Sequence, residues 1–145
     1  LLGSILDSSQ IHGTIKLDMV VDADLRLDTQ TLVPLALIVN EIATNSCKYA
    51  YQTIESPVFF FHLTEVEKRE EANQLLLTIG DNGIGNTDDK LHREGSLGSE
   101  LIEVFTEQLD GSIEKDTQNG LVFLLTFLVA NNIDHSEKIR EDGSN

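Results

Sequence analysis

The chain has 145 residues, the length of one domain, with 25 acidic against 10 basic side chains and a formal net charge of -15. Apolar residues make up 40%, enough to bury a core, so an acidic disordered tail is excluded. The acidity is spread, with 11 acids and 5 bases in residues 1–72 and 14 acids and 5 bases in residues 73–145, so no basic patch offers itself to nucleic acid or an anionic membrane surface.

Cys47 is the single cysteine, which excludes an internal disulfide and a multi-cysteine metal site. The longest apolar stretch, Leu121 to Ala130, is half of the roughly 20 residues that a spanning helix needs. Leu1 and Leu2 have no basic segment beside them, so no signal peptide is expected. A reducing, cytoplasmic compartment fits these features.

Leu1, Leu2, Ile5 and Leu6 have helical spacing, and residues 1–10 read as the end of a helix that starts in a missing domain. Thr14 to Val21 alternates Ile15, Leu17 and Met19 with Lys16 and Asp18 and reads as a strand. From Thr31 to Ala50 the apolar residues recur at helical spacing, with Pro34 expected in the first turn, where proline is tolerated. Val58 to Glu65 and Gln74 to Ile79 are strand-like on either side of a charged turn, which predicts an antiparallel pair.

Gly80 to Glu94 is a polar loop of functional length. Leu97 to Leu109 is expected to form a helix that stops near Gly111. Ser112 to Lys115 and Val122 to Val129 read as two more strands, and residues 131–145 as a flexible polar tail. This order predicts a two-layer α/β (α+β) sandwich, a mixed, mostly antiparallel sheet covered on one face by helices, over residues 11–130.

Three clusters could carry chemistry. On the long helix, Glu41, Asn45 and Lys48 fall within an arc of about 60° at helical pitch. That stripe offers a carboxylate to orient or deprotonate a nucleophile, a neutral oxygen ligand for a hard cation, and an ammonium for a phosphate. It also fits a solvated helix face. Asp-Asn-Gly-Ile-Gly at 81–85 follows a strand; its glycines allow a close ligand approach, and Asp81 can accept a hydrogen bond from a ligand amine. It equally fits a hairpin turn. Gly95, Ser96, Leu97 and Gly98 open a helix whose free N–H groups suit an anion, or form an ordinary serine cap.

The order of these clusters is more specific than any one of them. Together, L-I-V-N-E-I-A-T-N-S-C-K-Y-A-Y, D-N-G-I-G and G-S-L-G-S-E-L-I resemble the ATP-binding catalytic (HATPase, Bergerat-fold) domain of sensor histidine kinases, the HWE and HisKA-like subgroup in particular, from about Thr14 to Val129. The resemblance implies ATP and Mg²⁺ as cofactors. It implies Asn45 as the Mg²⁺ ligand, Glu41 as a second metal-side ligand or general base, and Lys48 and Tyr49 beside the phosphates and sugar. Asp81 then binds the adenine amino group, Gly83 and Gly85 shape its pocket, and Gly95 to Gly98 close the phosphate end after a short lid at residues 86–94.

The function implied is that of one part of a two-component signalling kinase, which presents the ATP γ-phosphate to a histidine on a separate phosphotransfer domain, with a response regulator downstream. It implies no nucleic-acid partner and no membrane contact by this part, which can belong to a membrane-bound sensor. The chain departs from the family at Ser99 in the second glycine cluster and at Leu121, where relatives often carry threonine near the adenine; Thr126 faces the other way by strand alternation. His12, His62, His92 and His135 all lie outside any phosphoacceptor-helix context. Two alternatives remain: a degenerate, non-catalytic nucleotide-binding or protein-interaction module, and an anti-sigma-factor-type serine kinase on the same fold.

Overall fold

The computed structural model describes residues 14–85 and 97–131. Strand β1 (Lys16–Val21) leads through an aspartate-rich loop into helix α1 (Thr29–Asn45), which continues as one wide π-helical turn over Ser46–Ala50. Strands β2 (Val58–Lys68) and β3 (Ala72–Asp81) follow, then helix α2 (Leu97–Gln108) and strands β4 (Ser112–Asp116) and β5 (Val122–Ala130). The sheet order is β1-β2-β3-β5-β4, with β1 parallel to β2 and every other pairing antiparallel. This is the mixed, mostly antiparallel sheet of an α+β sandwich that the sequence predicts. The expected leading helix, the lid, Gly95, Ser96, His12, His92, His135 and the tail beyond Asn131 lie outside the described residues.

Strand alternation puts Phe59 and Leu63 of β2, Leu75, Leu77 and Ile79 of β3, and Phe123, Leu125 and Phe127 of β5 on one face. Helix α1 closes this face with Leu35, Ile38, Val39, Ile42 and Ala43, and α2 adds Ile102. Each large side chain that this packing removes from water contributes about 1.5–3 kcal/mol. The other face, with Phe60, His62, Thr78, Leu124 and Thr126, is half-exposed. There His62 Nε2 lies 3.3 Å from Asp18 Oδ2, on the side of the sheet away from α1.

The helix boundaries differ from the expectation for definable reasons. Asp28 caps α1, accepting from the Thr31 N–H at 2.8 Å, so the helix starts at Thr29 and Pro34 is its sixth residue rather than part of the first turn. Pro34 has no N–H to give the Gln30 carbonyl, and its ring is buried instead. At the end of α2, Asp110 takes the left-handed conformation (φ 50°) and Gly111 does not. The Asp110 N–H donates to the Glu107 carbonyl and the Gly111 N–H to the Thr106 carbonyl, both at 3.0 Å, a Schellman closure. Gly111 is needed for closeness: a Cβ there would meet the Thr126 carbonyl oxygen at 2.7 Å.

Candidate functional site

Helix α1 and the ends of β3 and β5 line a narrow, partly open pocket. Its helix wall is Ile42, Asn45, Ser46, Tyr49 and Ala50; its sheet wall is Asp81, Ile84, Gly85, Leu121 and Phe123. The π-helical turn shapes the first wall. Widening the helix at Ser46 lets the Ala50 carbonyl accept from the Ile84 N–H at 3.1 Å, tying the helix end to the loop after β3. Gly83 has to be glycine at this junction, because a Cβ would run into the Ala50 backbone.

Asp81 is the polar centre of the pocket. It is 2% exposed, and three donors converge on its carboxylate. The Ser46 hydroxyl donates to Oδ2 at 2.6 Å, while the Gly83 and Leu121 N–H groups donate to Oδ1 at 2.9 and 3.2 Å. All three partners are donors, so the carboxylate acts only as an acceptor. Tyr51, at the end of the same turn, donates its hydroxyl to the Val58 carbonyl at 3.0 Å. Burial, with Asp81 and then Cys47 nearby, pushes the Tyr51 hydroxyl well above its ordinary pKa.

The remaining sequence-predicted residues spread along α1 and across to α2. Asn45 lines the pocket, and its Nδ2 donates to Glu41 Oε1 at 3.4 Å. Glu41 is half-buried against the first turn of α2, in the space that a Cβ on Gly98 would need. Tyr49 reaches the pocket and is partly exposed, whereas Lys48 is exposed and stands outside the lining. The π-helical turn begins between Asn45 and Lys48, which opens the narrow stripe expected from regular helical pitch. Cys47 packs on the edge of the core.

Two glycines hold the loops in backbone conformations that a side chain would strain, Gly85 at φ 70° and Gly120 at φ 101°. Gly120 also lies against the Asp81 carbonyl, so the turn before β5 packs on the end of β3 that carries Asp81. Leu121 lines the pocket as a buried member of the core, and Thr126 lies on the opposite face, paired with Leu76 and Ser112.

Ser46 is the residue that motif reasoning missed, although it directly follows Asn45.

Among the described residues no group of three His, Cys, Asp or Glu side chains converges as a metal site. The donor set fits Mg²⁺ only as Glu41 and Asn45 oxygens supplemented by ligand oxygens and water, the shell this ion commonly takes. Among the described residues no helix is long and apolar enough to cross a membrane.

Known proteins superpose on this arrangement. The histidine kinase domain of the blue-light activated histidine kinase EL346 from Erythrobacter litoralis matches with a TM-score of 0.74 at 22% identity, over 87% of this chain and 56% of that one. The histidine kinase AdeS of Acinetobacter baumannii matches with a TM-score of 0.56 at 17% identity, over 90% of this chain and 60% of that one. The mycobacterial sensor histidine kinase MprB gives a TM-score of 0.52 at 14% identity, over 79% and 83%.

In sequence, the chaperone protein HtpG of Sulfurovum sp. (strain NBC37-1) is 40% identical over 63 residues, which is 40% of this chain and 10% of the chaperone. The chain therefore spans about a tenth of the length of that relative and little more than half of the EL346 kinase domain. No protein-family model matches. At these identities the superpositions establish the architecture: the chain has the fold of histidine kinase domains.

Proposed function

We propose that this chain is the ATP-binding domain of a sensor histidine kinase, holding ATP with Mg²⁺ and presenting the γ-phosphate to a histidine on a separate phosphotransfer domain. The observation that carries this reading is Asp81. A buried carboxylate, fixed by three donors at the end of a strand, faces a pocket that also contains Asn45.

Asp81 keeps acceptor capacity on Oδ2 for the adenine amine, and Ile42, Ile84, Leu121 and Phe123 give the purine an apolar slot. Asn45 and Glu41 hold the metal side of the triphosphate. Mg²⁺, when bound there, neutralises phosphate oxygens and fixes their direction for in-line transfer. Lys48, exposed beside the pocket and outside its lining, reaches for the phosphates from the solvent side. With a net charge of -15, the domain has few other ways to accept a polyanion. Glu41 orients or deprotonates the incoming nucleophile. A response regulator then takes the phosphoryl group from the histidine, in the cytoplasm.

Calorimetric titration with Mg·ADP tests this reading. The parent chain should give a binding isotherm that both Asp81→Asn and Asn45→Ala abolish, and Mg·ATP should leave the chain unphosphorylated on histidine. Leu121 favours a second reading, a nucleotide-free interaction module that keeps the fold, because it offers no side-chain hydroxyl to the base. No heat from the parent chain would select that second reading.

A further inference from the structure

We propose that Asn119 is a site of spontaneous deamidation, and that the fold protects the identical dipeptide at Asn82–Gly83. The sequence contains two Asn-Gly pairs, at 82–83 and 119–120. In such a pair the glycine nitrogen attacks the amide carbon of the asparagine side chain, because no Cβ crowds the approach. The new N–Cγ bond closes a succinimide ring. The amide nitrogen departs with the glycine N–H proton as ammonia. Water then opens either ring carbonyl, leaving aspartate or isoaspartate. The attack needs an N–H that no acceptor holds and an asparagine side chain that is free to turn.

The two pairs differ on both counts. Asn82 Oδ1 accepts from the Val58 N–H at 2.7 Å, and its Nδ2 donates to the Ser56 carbonyl at 2.9 Å. The Gly83 N–H is itself given to Asp81 Oδ1 at 2.9 Å. Side chain and nucleophile are therefore both held. Asn119 is exposed in the turn between β4 and β5. Among the described residues nothing hydrogen-bonds its side chain, and nothing accepts from the Gly120 N–H. This turn also touches the pocket. Gly120 lies against the Asp81 carbonyl, and Leu121 pairs with Asp81 in both directions: its N–H donates to Oδ1 at 3.2 Å and its carbonyl accepts from the Asp81 N–H at 3.0 Å. Isoaspartate at 119 adds a methylene to the main chain just before these contacts, so the modification reaches Asp81. None of this depends on what the pocket binds.

The test incubates the 145-residue chain at mildly alkaline pH and follows both Asn-Gly peptides by digestion and mass spectrometry. In the folded chain Asn119 should convert at least about ten-fold faster than Asn82, because Asn82 must wait for its loop to open. In urea sufficient to unfold the chain, the two rates should converge. The amides of Asp81 and Leu121 should shift as isoaspartate accumulates at 119. Asn119→Gln, which would have to close a larger ring, should lose the fast conversion and keep the parent's Asp81 and Leu121 shifts on ageing.

Equal rates at the two sites in the folded chain would overturn the protection of Asn82. An Asn119 that reacts only after unfolding would overturn its assignment as the modified site. Unmoved Asp81 and Leu121 amides in fully converted protein would overturn the link from the turn to the pocket.

Discussion

The Glu41 carboxylate fills the space that a side chain at Gly98 would need, so helix α1 and the first turn of α2 meet through a glycine and an acid. The same carboxylate accepts from Asn45. Gly98→Ala should push the flexible end of Glu41 aside without unfolding the chain. If Glu41 supports the metal, the Mg²⁺-dependent gain in ADP affinity should fall about ten-fold. Calorimetry with and without Mg²⁺ checks this, and an unaltered gain removes Glu41 from the metal side.

Gly83 meets backbone where Gly98 meets a movable side chain. Gly83→Ala forces the loop after β3 away from Ala50, whose carbonyl also accepts from Ile84. Overpacking of this kind typically costs about 1–3 kcal/mol, so urea denaturation should show a loss of that order. A variant as stable as the parent would mean that the π-helical turn is not anchored at this junction.

Tyr51 makes stability pH-dependent at the alkaline end. Burial raises its pKa above the ordinary 10.0, and the nearby Asp81 adds to the shift. Above pH 10 the unfolded chain loses this proton while the folded chain keeps it, so stability is complete below that pH and declines above it. The slope cannot exceed about 1.4 kcal/mol per pH unit for one group. Tyr51→Phe should remove this part of the decline in denaturation curves taken between neutral and alkaline pH.

Asp110 closes α2 in the left-handed region, where glycine carries no Cβ penalty. Asp110→Gly should raise stability by about 0.5–1 kcal/mol after allowing for the freer unfolded chain. A lower melting temperature would show that the aspartate side chain supports the turn.

Much of this was legible in the sequence. Alternation in Val122 to Val129 identifies both the strand and the face that Phe123, Leu125 and Phe127 share, because a half-buried sheet imposes a period of two. Asn45 and Asp81 stood out because the glycines and the acid–amide spacing around them are unusual in combination.

Other features needed the folded chain. The π-helical turn has no residue signature of its own in Ser-Cys-Lys-Tyr-Ala, and it exists because Ala50 meets Ile84 and Gly83 from another part of the chain. The role of Ser46 depends on a partner 35 residues away, which helical spacing cannot reveal. Pro34 sits past the first turn because Asp28 caps α1 earlier than the apolar pattern begins.

The central claim is that an adenine nucleotide binds between α1 and the ends of β3 and β5. Amide chemical shifts recorded during a titration with Mg·ADP test it most directly. The account predicts saturable shifts at Asn45, Ser46, Asp81, Gly83 and Leu121, with the amides of β1 and β4 at the sheet edges unmoved. Shifts confined to those edges, or none at saturating nucleotide, would contradict it.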